Sequence, residues 1–225
     1  MLSEGGLEIF TLSIFCFAIL KNSLEHYKKR SISLSEIKVI TELVEKLVQV
    51  DEGGRGIIDI LSPPGSLYNA ANCILESKSI AIITGFPCML DYSPPTETDG
   101  PLGSMCLART LLTLQKDVVI ITDECNEEIL LACAAASNLI TPRHPDRKVL
   151  RMESFPPKKD LLQSEIDLHR LMTIAESTDL VIAVERTGPN KEGKYLTMRF
   201  AIVLSNIIMA IVILNFIQIV FIKLL

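Results

Sequence analysis

Ser79 to Pro87 reads SIAIITGFP, four consecutive apolar residues closed by Thr84-Gly85-Phe86-Pro87. A run this short, unbroken by polar residues and ended by turn chemistry, predicts a strand buried on both faces, as in a parallel sheet. Downstream the pattern repeats with helices between. A helical stretch near Gly103 to Gln115 precedes the run Val118 to Ile121, and a helix from about Glu124 to Ser137 precedes a strand around Val149 to Met152. A helix from Ser164 to Glu176 then leads to the run Leu180 to Val184. Strand and helix in alternation predict an α/β fold, an open and mostly parallel sheet with helices on both faces. Upstream, Ser33-x-x-Glu36 has the form of a capping box, and Ile37, Ile40, Leu43, Val44, Leu47 and Val48 follow at helical spacing up to Val50.

The two ends differ from this middle. Phe200 to Ile222 holds 23 residues without a charge, eleven of them Ile or Val. That length spans the hydrocarbon core of a bilayer as a helix, and a helix apolar all round has no face to leave in water. The expectation is a C-terminal transmembrane helix in contact with lipid through 200–222, with Asn215 and Gln218 on one face. Leu7 to Leu20 is shorter and carries Glu8, which fits neither a signal nor a transit peptide. Lys21, Lys28, Lys29 and Arg30 on one side, and Lys191, Lys194 and Arg199 on the other, flank the globular part. The positive-inside rule then places it on the cytosolic or matrix side. Three segments are expected: an apolar N-terminal piece with a basic flank over 1–30, an α/β domain over 31–199 and the hydrophobic tail over 200–225.

Without that tail the chain carries 21 basic and 27 acidic residues, a net charge of −6, which argues against nucleic acid as a partner. The six cysteines (Cys16, Cys73, Cys88, Cys106, Cys125, Cys133) form no C-x-x-C pair, and no histidine completes a zinc site with them. They are expected as buried free thiols in helices and strands, in a reducing compartment. His26, His144 and His169 are scattered, and none is nominated as a base. G-x-G-x-x-G, G-x-x-x-x-G-K-[ST] and G-x-S-x-G motifs are absent, so classical dinucleotide, P-loop and serine-hydrolase chemistry lose support. No metal and no cofactor is expected.

In an open parallel sheet, ligands sit outside the carboxyl ends of the strands. That rule selects Thr84-Gly85-Phe86-Pro87, Thr122-Asp123-Glu124 and Glu185-Arg186-Thr187-Gly188. Asp123 is read first as the N-cap of the following helix. Glu185 with Arg186 reads equally as a surface ion pair or as part of a site. Gly53-Gly54-Arg55-Gly56 suits a nest that grips a carboxylate or phosphate, although a plain flexible turn has the same sequence. Glu97 and Asp99 place two carboxylates in a loop before the Gly103 helix. Such a pair can divide acid and base roles, and by spacing alone it reads as a solvated acidic loop.

Taken together, GGRG at 53–56, IAIITGFP at 80–87, PPTETDGP at 94–101 and LVIAVERTG at 180–188 resemble the C-terminal domain of the mitochondrial D-glutamate cyclase family over about residues 50–199. The resemblance implies conversion of D-glutamate to 5-oxo-D-proline with loss of water, a mitochondrial location, and D-glutamate or a similar dicarboxylate as the small-molecule substrate. Against that frame Glu97, Asp99 and Glu185 are the candidate catalytic groups, with Glu185 in reserve. Gly53, Gly54, Arg55, Gly56, Thr84, Gly85 and Arg186 are the candidate substrate-binding residues. The chain leaves the family pattern near Arg199, so a truncated domain is expected. The alternative is a catalytically inactive, membrane-tethered binding or interaction protein, because a sheet ending at the Leu180 strand would leave an edge for another chain or a second copy in a homo-oligomer.

Overall fold

The computed structural model describes residues 33–49, 63–87, 91–93, 95, 99–140, 148–156, 165–186, 192 and 218–222. The chain divides into two compact units, residues 1–76 and 77–225.

In the first unit, α1 (Leu34–Val48) starts where the capping box requires. Ser33 N–H donates to Glu36 Oε2 at 2.7 Å and Glu36 N–H returns to Ser33 Oγ at 3.3 Å, so two amides of the first turn are satisfied. A second helix, α2 (Ser66–Glu76), was not foreseen from the sequence. Its cap comes from α1: the Glu45 carboxylate accepts from Gly65 N–H at 2.8 Å and Leu67 N–H at 3.0 Å. A helix whose N-terminal charge is supplied from 20 residues away leaves no local signature.

The second unit is a five-stranded sheet of order β3-β2-β1-β4-β5, parallel at every pairing. Its elements run β1 (Ser79–Thr84), α3 (Asp99–Thr113), β2 (Asp117–Asp123), α4 (Glu124–Ala136), β3 (Arg151–Phe155), α5 (Glu165–Glu176), β4 (Leu180–Val184) and β5 (Gln218–Ile222). Ile80, Ile82, Ile120, Ile121, Leu180 and Ile182 are all fully buried. On one face Ala81, Ile83, Val119, Ile121 and Val181 pack with Leu171 and Ile174 of α5. On the other, Thr84 meets Gly100 of α3, and Gly85 meets Thr122 of β2 and Asn126 of α4. Helices therefore cover both faces, as the two-sided burial of the strands demands.

Three departures from the sequence reading have physical causes. β3 extends to Phe155 because polar Glu153 and Ser154 suit an edge strand, where Arg170 of α5 pairs with Glu153 at 2.5 Å. α3 starts at Asp99, with Pro101 in its first turn, where a missing amide hydrogen costs nothing. The largest correction concerns the C-terminus. Residues 200–217 lie outside the described residues, but Gln218–Ile222 is not the end of a transmembrane helix: it is strand β5, in register with Leu180–Val184. Among the described residues no helix is long and apolar enough to cross a membrane. An Ile- and Val-rich run is equally the sequence of a buried parallel strand. With β5 paired to β4, the edge on which the interaction-protein alternative relied is filled by this chain.

Candidate functional site

Strand order reverses between β1 and β4: the chain winds outward through β2 and β3, then returns to the opposite side of β1. The crevice above that switch point is the usual ligand position in such sheets. Thr84 and Gly85 leave β1 there, and Glu185 and Arg186 leave β4.

Arg186 holds the crevice floor together. Its Nη1 donates to Asp123 Oδ2 at 2.5 Å and to Gly85 O at 2.6 Å, which links the ends of β4, β2 and β1. The Arg186 and Asp123 side chains are 0% and 2% exposed. An ion pair so deeply buried stands only because each charge answers the other. The expectation for Asp123 is corrected here. It occupies the N-cap position of α4 in extended conformation, yet its side chain makes no capping hydrogen bond and turns to Arg186 instead. Arg186 in turn pairs with Asp123, 63 residues away, so the Glu185-Arg186 surface pair is also corrected.

Gly85 lies at φ 98°, and a β-carbon there would stand 2.5 Å from Asn126 Nδ2 and 2.7 Å from Thr122 Oγ1. Only glycine allows β1 to turn this tightly against α4. Thr122 Oγ1 donates to Thr84 O at 2.9 Å in the same buried layer. Glu185 also adopts the left-handed region, φ 43°, where a non-glycine residue is strained. Gly100 completes the fit: its β-carbon position would lie 3.0 Å from Glu185 Cβ and 3.1 Å from Thr84 Oγ1. The first turn of α3 therefore closes directly over β1 and β4.

Of the expected site residues, Thr84, Gly85, Glu185 and Arg186 are brought together here. Asp99 opens α3 next to them, in a helix rather than a loop, and its side chain is outside the described atoms. Gly53, Gly54, Arg55, Gly56 and Glu97 lie outside the described residues. The sequence reading missed Asn126 and Gly100 as parts of the layer, and Ser104 as a buried polar residue of α3. Asn126 and Ser104 are completely buried polar residues on helices, and a polar residue on the core face was the available signal for both.

Among the described cysteines, Cys125 borders this layer and is not an activated thiol. Burial, with the Asp123 charge adding to it, pushes the Cys125 thiol above its ordinary range, which keeps it protonated. Cys73, Cys106, Cys125 and Cys133 are free thiols on helices, but none is fully buried, so the expectation of buried thiols is corrected for these four. Among the described residues no group of three or more His, Cys, Asp or Glu side chains is placed to hold a metal ion.

A family model described as D-glutamate cyclase-like, C-terminal, matches residues 44–210. The match enters the first half of the apolar C-terminal run. The mitochondrial D-glutamate cyclase of Homo sapiens is 39% identical over 99 residues, an alignment that takes in 44% of this chain and 15% of that protein.

Proposed function

The chain belongs to the D-glutamate cyclase-like C-terminal family, and on that premise we propose that the crevice between β1 and β4 binds D-glutamate and closes it to 5-oxo-D-proline and water. The observation that supports this most is the meeting of Glu185, Thr84 and Gly85 over a buried Arg186-Asp123 pair at the topological switch point.

The reaction joins the amine to the side-chain carboxyl of the same molecule. The ammonium must lose a proton, the nitrogen then attacks the carboxyl carbon, and one carboxyl oxygen leaves as water carrying the two hydrogens shed by nitrogen. Holding the five-carbon chain folded supplies much of the acceleration, because the attack becomes a positioned intramolecular step. Glu185 takes the proton from the ammonium and returns it to the leaving oxygen. Its side-chain stem packs against the first turn of α3, on a left-handed backbone. The Thr84-Gly85 turn faces the developing oxyanion, and Glu97 and Asp99 assist in proton transfer. Arg186 acts through Asp123 and Gly85, holding the turn in place. The human relative's name places that protein in the mitochondrion, and the same location is proposed for this chain.

Formation of 5-oxoproline from D-glutamate by the purified full chain tests the reading. Turnover is expected, falling about 100-fold or more in Glu185→Gln with the unfolding midpoint unchanged. A chain that forms no 5-oxoproline is not a cyclase; equal turnover in Glu185→Gln removes that residue from the chemistry.

A further inference from the structure

Among the described residues every buried apolar side chain belongs to the second unit. In the first unit the buried side chains are Thr41 and Glu45 of α1, both polar, and α2 has no buried residue. The apolar residues of α1 lie outside instead. Leu47 is 68% exposed, Val39 and Leu43 are each 55% exposed, and Ile40 is 41% exposed. Val39, Leu43 and Leu47 recur every four residues and Ile40 lies three before Leu43, so the four form one stripe along the helix. The opposite side carries Glu45, whose carboxylate caps α2. A contiguous apolar stripe turned away from the helix's own partner marks an interaction surface.

The two ends of the stripe are unlike, and each fits the other. At the amino end a shallow hollow is lined, among the described residues, by Ser35, Glu36, Val39 and Ile40. At the carboxyl end stands Leu47, the most exposed of the large apolar residues of α1. Charge follows the same division, with Glu36 in the first turn and Lys46 in the last. A second α1 laid antiparallel on the first puts Leu47 of each copy into the hollow of the other and brings Lys46 to Glu36. Ile40 and Leu43 of one copy then lie against Leu43 and Ile40 of the other. A two-fold axis repeats every one of these contacts and closes the pair, and antiparallel helix dipoles attract. Charge argues against a lipid surface. Glu36, Glu42 and Glu45 against Lys38 and Lys46 leave α1 with one net negative charge, which anionic headgroups repel.

We propose that two copies of this chain associate through the Val39, Ile40, Leu43 and Leu47 stripe of α1, antiparallel, with Lys46 of one copy against Glu36 of the other. A second copy thus has its place on the first unit and not at the edge of the sheet. The contact stands apart from the cyclase reading.

Sedimentation of the full chain over about 1–100 µM tests the assignment, because one helix pair buries less than the roughly 1,600 Å² of a standard interface and gives a dimer of about micromolar affinity. Leu43→Glu should weaken the dimer about 100-fold or more with the unfolding midpoint unchanged, since the side chain it replaces lies outside the fold. Should it fail to fold, Leu47→Ser at the most exposed position carries the test. Lys46→Glu and Glu36→Lys should each weaken self-association about tenfold, whereas an equal mixture of the two should recover wild-type affinity, because both charge pairs are restored only between unlike copies. A chain that is monomeric throughout overturns the proposal, as does a dimer untouched by Leu43→Glu. So does a mixture that does not recover, which removes the antiparallel pairing. A monomer whose thermal midpoint falls in Leu43→Glu has its stripe covered by its own chain, and a monomer that binds phosphatidylserine vesicles through Leu43 has a lipid surface there; either result overturns the second copy.

Discussion

At the amino ends of the strands Asp179 Oδ2 accepts from Lys78 N–H at 2.7 Å and Ser79 N–H at 2.9 Å, and Asp117 N–H donates to Lys78 O at 2.9 Å. Lys116 Nζ reaches Ser77 O at 2.5 Å, and Lys148 pairs with Asp117 at 2.7 Å. At the carboxyl ends of the same strands, and in α3 above them, the buried Thr84 and Ser104 hydroxyls are unsatisfied, Glu185 is held left-handed, and a charge pair lies out of reach of water. One rim satisfies its polar groups and adds to stability. Left-handed backbone does not separate the rims, since Gln115 lies at φ 61° just before β2; what sets the carboxyl rim apart is its buried charge pair and unpartnered hydroxyls, which a folded domain retains where a ligand or a reaction needs the geometry.

The contrast can be broken by substitution, and the largest effect should come from the buried pair. Asp123→Ala leaves the Arg186 guanidinium buried without its countercharge, so a loss of about 3–5 kcal/mol in unfolding free energy is expected from denaturant titration. A loss below about 1 kcal/mol would mean that water or another acid reaches Arg186. Gly85→Ala comes next. Its β-carbon would collide with Asn126 and Thr122, and its φ of 98° is strained for alanine. A cost of about 3 kcal/mol is expected from the two causes together, read as a lowered thermal midpoint.

The smallest effect belongs to the amino rim. Asp179→Asn weakens two amide contacts at an exposed position, so less than about 1 kcal/mol should be lost near neutral pH. The same residue gives the rim its pH dependence. The Ser79 and Lys78 amides hold the Asp179 carboxyl below its ordinary value of 3.8. A carboxyl with a lowered folded pKa contributes stability above its unfolded value and loses it as pH falls through the folded one. The wild-type advantage over Asp179→Asn should therefore be present at pH 6 and vanish by about pH 2. An advantage that persists in acid would sink the assignment.

Much of this frame was legible before any coordinates. The capping box of α1 is local, and the interiors of β1, β2 and β4 are written as short apolar runs, because burial on both faces admits little else. The rule that ligands sit beyond the carboxyl ends also selected Thr84, Gly85, Glu185 and Arg186 correctly as neighbours. Where the reading failed, the deciding partner was remote or the pattern served two solvents. Glu45 caps α2 from 20 residues away. The sequence of Gln218–Ile222 suits a bilayer as well as a strand beside β4, since a membrane and a parallel sheet both select Ile and Val.

Alternation of apolar runs with amphipathic stretches determined that this chain forms a parallel sheet between helices, and its jointly occurring segments determined its family. Which side Asp123 turns to, why residue 85 is glycine, and which hydroxyls are left without partners were decided only in three dimensions. The reason is range: burial acts on each short segment separately, whereas charge pairing and close contact depend on groups such as Asp123 and Arg186 that meet only after the strands are aligned.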